Sequence, residues 1–96
     1  MSPERTQAYR RVMRTLDELG PSKLQDIEQD RIRQDADNLI FSSDLVSDDA
    51  ARDALRDIDE LCAALVQSGR WEAVTAERLE HDVHACGPGV TVAAAA

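Results

Sequence analysis

Ser47-Asp48-Asp49-Ala50-Ala51-Arg52-Asp53-Ala54-Leu55-Arg56-Asp57-Ile58-Asp59-Glu60-Leu61-Cys62-Ala63-Ala64-Leu65-Val66-Gln67-Ser68-Gly69 is the stretch that decides the fold of this 96-residue chain. Ala51, Leu55, Ile58, Cys62 and Leu65 recur at alternating steps of four and three, which puts them on one stripe of an α-helix. Ala54, Leu61 and Val66 widen the stripe into a core-facing surface. Ser47 is the expected N-cap, and Asp48 and Asp49 follow where a carboxylate meets the positive end of the helix dipole. Gly69 stands where a left-handed residue ends a helix. A face this apolar needs cover, and the rest of the chain is read as supplying it.

On the N-terminal side, Ser2-Pro3 is a helix opening, a capping hydroxyl followed by a residue whose fixed φ suits the first helical position. Tyr9, Val12, Met13, Leu16 and Leu19 share one face of that helix, and Gly20-Pro21 stops it. Arg10, Arg11 and Arg14 fall on the opposite, solvated face, with Arg14 spaced to pair with Glu18. Ser22 is the expected cap of a second helix reaching Phe41, with Leu24, Ile27, Ile32, Ala36 and Leu39 inward. Glu28, Arg31 and Asp35 lie within the same arc. Charges there are costly unless paired, so an internal ladder is expected; a face meeting a second copy of the chain is the alternative. On the C-terminal side, Trp71 anchors a short connection. Thr75 is the expected cap of a fourth helix, Val74 and Leu79 form a hydrophobic staple, and Gly87-Pro88 closes the element. The expectation is an all-α, single-domain bundle of about four mostly antiparallel helices, near residues 3–19, 22–41, 48–67 and 75–86. Residues 87–96 form an apolar tail.

Composition narrows the function. The net charge is −8, and residues 24–60 carry four basic against twelve acidic side chains. Such a surface disfavours direct nucleic-acid or membrane binding and suits basic partners. The first twenty residues hold four arginines and no continuous apolar run, so neither a signal peptide nor a membrane span is expected, and the assignment is cytoplasmic. Two cysteines, Cys62 and Cys86, make no disulfide framework.

Catalytic constellations are missing from the sequence. No Gly-flanked serine follows a strand, no thiol shares a helical face with a histidine, and no Gly-rich phosphate loop occurs. His81 and His84 fall on the outer face of a helix while Cys86 turns inward, so the three cannot converge on one ion, and Glu77, Glu80, His81 and His84 share an outer patch read as solvated. No metal and no cofactor are therefore expected. Leu39, Ile40, Phe41, Leu45 and Val46 are more apolar side chains than one end of a small bundle can bury, and a leftover patch marks an interaction site. The leading expectation is a small acidic, non-enzymatic regulator or adaptor of bacterial or phage type. It would bind another protein through Ile40, Phe41 and Leu45, with Trp71. The alternative is a nucleic-acid mimic using the acidic face Asp49, Asp53, Asp57 and Glu60. A third reading is a homo-oligomer with a metal or cofactor site at its subunit interface.

Overall fold

The computed structural model describes residues 2–88. The expected apolar tail lies outside them from residue 89 onward. The chain forms four helices, α1 (Pro3–Lys23), α2 (Asp26–Ile40), α3 (Asp49–Gln67) and α4 (Ala73–Ala85), and no strand occurs among the described residues. It is the all-α bundle that the periodicity of residues 47–69 demands. Each helix packs on its two neighbours in the cycle α1–α2–α3–α4–α1, and α2 also touches α4 across the middle. None of the described helices is long and apolar enough to cross a membrane.

The core is aliphatic. Val12 and Leu16 of α1, Ile32 and Leu39 of α2, Ile58 and Leu65 of α3, and Leu79 and Val83 of α4 are all fully buried. Each contributes about 1.5–3 kcal/mol by leaving water. Cys62 and Cys86 are buried free thiols within it. Burial is the main cause that pushes both up to about 12, so they behave as small hydrophobes. Ile27, expected inside, is exposed, and so is Val74, which therefore makes no staple across the start of α4.

Helix ends follow the sequence in part. Ser2 caps α1 by accepting from the Arg5 N–H, with Pro3 at the first helical position. Gly20, at φ 62° and ψ −172°, breaks the run at Leu19, as Gly20-Pro21 implies, and only a short turn continues to Lys23. Gly69, at φ 79°, ends α3 as expected. Its N–H reaches Val66 O and that of Arg70 reaches Leu65 O, the pair of bonds that a left-handed C-terminal residue permits. Three expected caps are displaced. Gln25 replaces Ser22, because buried Leu24 must run extended into the core before α2 can begin; Gln25 and Glu28 then form a capping box. Asp48 replaces Ser47 and accepts from Ala51 N–H, and Glu72 replaces Thr75.

The expected ladder along α2 is not formed. Glu28 instead takes both prongs of the Arg70 guanidinium at 2.7 and 2.8 Å. Arg31 reaches across to Asp57 of α3 at 2.6 Å. Asp35 is buried against the same pair, and its Oδ2 finds no partner among the described residues. Nor does Arg14 pair with Glu18. Arg11, which stays exposed, is the one that pairs, donating to buried Asp82 of α4 at 2.9 Å.

Candidate functional site

Between α2 and α3 the chain makes an eight-residue connection, 41–48, whose backbone is held from three sides. Arg5 lies on α1, where a helical register turns it toward the ends of α2 and α4. Its guanidinium donates to the carbonyls of Leu39 at 2.7 Å, Ile40 at 3.1 Å, Ser42 at 2.7 Å and Cys86 at 2.8 Å. A cation at the C-terminal ends of two helices satisfies carbonyls that the helices cannot and meets the negative ends of both dipoles. Further along, Asp44 accepts from Val46 N–H and from the Ser47 hydroxyl. Arg52 of α3 donates back to the Leu45 and Val46 carbonyls.

On this held loop two large apolar side chains point outward. Phe41 is 80% exposed and Val46 84% exposed, with Leu45 half-buried between them in sequence. Leu45 also lines an open groove of about 350 Å³ with Leu39, Leu55, Ala85 and Pro88, and His81 and His84 stand at its edge. Gly87 packs so closely on Leu39 that an added Cβ would lie 3.2 Å from its side chain, so Gly87 and Pro88 belong to the wall of the bundle.

Two of the expected anchors are elsewhere. Ile40 is 7% exposed and Trp71 6% exposed, both members of the core. The Trp71 indole donates to Lys23 O at 3.2 Å, just before α2, whereas Phe41 follows that helix. Fifteen helical residues separate the two by about 22 Å. They do not form one patch.

The acidic face of α3 is less bare than its sequence. Asp49 pairs with Arg52, Asp53 with Arg56 at 3.2 Å, and Asp57 with Arg31. Burial, the largest single influence, would raise Asp57, but the hydrogen bonds from Arg31 and Asp35 together with the Arg31 charge outweigh it and hold the carboxylate below its ordinary range. Glu60 is exposed and has no ion pair among the described residues.

A second cluster comes from the seam between α3 and α4. Asp59, Glu80 and His84 bring one donor atom each within 4.8 Å of one another. His84 Nε2 lies 2.8 Å from Asp59 Oδ1. The hydrogen bond to Asp59, with partial burial and the repulsion of that same carboxylate, pushes Glu80 up to about 7. Burial raises Asp59, yet bonding from Glu80 and His84 prevails and its net shift is downward. Glu80 and His84 are legible in sequence as an i,i+4 pair on one face of α4. Asp59 is not, because only the packing of α3 on α4 brings it there. Beside the cluster a shallow hollow of about 330 Å³ is lined by Glu77, Glu80, His81 and His84.

No protein-family model matches the chain, and neither the curated proteins nor the solved structures returned a match.

Proposed function

We propose that this chain is a non-enzymatic protein-binding module, a regulator or adaptor, that engages its partner through Phe41, Leu45 and Val46. The observation that carries the reading is Phe41, 80% exposed on a loop pinned by Arg5, Asp44 and Arg52. Here the hydrogen bonds hold the loop backbone, so little backbone ordering remains for binding to supply, and the cost left is the rotamer freedom of the side chains, about 0.5–1.5 kcal/mol each. Large apolar side chains carried on a held backbone are the kind on which interface energy concentrates. The net charge of −8 favours a partner with a basic rim around an apolar pocket. Against thiol catalysis stands the burial of both cysteines, which pushes them up to about 12.

The mimicry reading has less support, since Asp49, Asp53 and Asp57 each share their charge with an arginine. Phe41→Asp tests the proposal. The variant is expected to keep its helical CD spectrum and its stability within about 0.5 kcal/mol, because the ring touches little of the core. It is also expected to lose the partner that the wild type retains from host extract, a partner that stays bound at high salt. Retention of the same partner by Phe41→Asp, or unfolding of the variant, refutes the assignment.

A further inference from the structure

The geometry points to a divalent transition-metal site at the α3–α4 seam, with Asp59, Glu80 and His84 as its ligands and Zn²⁺ as the ion that suits them. Three atoms no more than 4.8 Å apart share a centre within about 2.8 Å of each, against about 2.0–2.2 Å for zinc to nitrogen or oxygen. Closing that gap takes a movement below about 1 Å, within reach of a partly exposed Glu80 side chain turning about its own bonds. The backbone beneath the ligands does not need to move. Each ligand has a buried neighbour in sequence, Ile58 beside Asp59, Leu79 beside Glu80 and Val83 beside His84.

The donor set selects the ion. An imidazole nitrogen with two carboxylates suits zinc and its first-row neighbours, whereas calcium and magnesium prefer all-oxygen shells. As ligands the two carboxylates bring two negative charges, which a divalent cation neutralises. The hollow beside the cluster leaves a side open, where His81, Glu77 or water supplies a fourth donor. Zinc sites with three protein ligands and one open position are of this form. Binding replaces the His84–Asp59 hydrogen bond by coordination and ties α3 to α4. The inference is independent of the partner-binding reading, since Phe41 and Val46 take no part in it.

The test uses the full chain, stripped of metal, with Zn²⁺ alone as the probe. The chain holds only two histidines, so the ring signals of His81 and His84 can be followed separately by NMR. One equivalent of Zn²⁺ is expected to shift the His84 ring and saturate at a one-to-one ratio, with a matching rise in the thermal midpoint. Asp59→Asn and His84→Ala are each expected to weaken binding by at least about tenfold, and Asp53→Asn, a carboxylate of α3 outside the cluster, to leave it nearly unchanged. Movement of His81 alone, or of neither ring, overturns the site without recourse to any variant. Binding that survives both Asp59→Asn and His84→Ala unaltered overturns it as well.

Discussion

Replacing Asp35 by asparagine removes a carboxyl group that the α2–α3 seam holds at a cost. Asp35 is 5% exposed, and its Oδ2 has no partner among the described residues. Burial first, and then the hydrogen bond and repulsion of Asp57, raise it from an ordinary 3.8 to about 8. In the unfolded chain the group ionises near its ordinary value; in the native state it keeps its proton and donates it to Asp57. Between those two values the native protein binds the extra proton, so this group's contribution to stability falls as pH rises across the window. At about 1.4 kcal/mol per pH unit, holding the proton costs about 4 kcal/mol at pH 7. Asparagine escapes that cost and can still donate to Asp57, but its second N–H is left without an acceptor, a loss of about 2 kcal/mol. Asp35→Asn should therefore be about 2 kcal/mol more stable than the wild type at pH 7, about 2 kcal/mol less stable near pH 4, and equal to it near pH 5. Urea denaturation followed by far-UV CD, run at several pH values across this range, measures the difference directly. A difference that stays constant from about pH 4 to pH 7 would mean that native Asp35 is already ionised, and the account of the seam would be wrong.

Arg5→Ala should cost about 2–3 kcal/mol, because four carbonyls lose a charged donor. Hydrogen exchange should quicken in residues 41–46, and Arg5→Lys should recover less than half the loss, since an ammonium cannot span the four acceptors; slow exchange there in Arg5→Ala would show that the loop holds itself. At the α1–α4 seam, Arg11→Ala should cost about 2 kcal/mol by leaving the nearly buried Asp82 carboxylate unpaired. The double variant Arg11→Met with Asp82→Leu should return to within about 1 kcal/mol of wild type, and additive losses in the denaturation cycle would contradict this.

The amphipathic period of α3 and the punctuation at Gly20 and Gly69 were legible in the sequence because they are local: stripe, break and cap are each set by neighbouring residues. The displaced caps show where local reading ends. Ser22 has the right chemistry, but the demand that Leu24 enter the core outweighs one capping bond. Likewise α4 begins as soon as the chain leaves buried Trp71, two residues before Thr75. Arg5 was invisible as a site residue for a different reason. On a helical wheel it is one more solvated charge, and the carbonyls that need it lie 34 to 81 positions away. Asp59 belongs to the same class, since a carboxylate on the flank of an acidic helix has no distinguishing mark until another helix brings a histidine to it. Phe41 was the opposite case: three consecutive large apolar residues at a helix end must diverge, and with Ile40 turned inward the ring is left outside.

The acidic surplus that first suggested a basic partner also has a use inside the molecule. Each of the four seams in the cycle carries an acidic contact. Tyr9 donates to Asp37 at 2.6 Å between α1 and α2, Arg31 meets Asp57 between α2 and α3, His84 meets Asp59 between α3 and α4, and Arg11 meets Asp82 between α4 and α1. Partly exposed pairs such as these add little net stability. Their effect is on alternatives. A core of leucine, isoleucine, valine and alanine fills space almost as well after one helix slides by a turn of about 5.4 Å, because the apolar stripe nearly repeats at that distance. Such a slide parts the polar contacts on both seams of the moving helix, and it leaves Asp82 or Asp35 buried beside an apolar neighbour. With only three aromatic residues to give the interior shape, one of them turned outward, the carboxylates at the seams are what penalises the wrong registers.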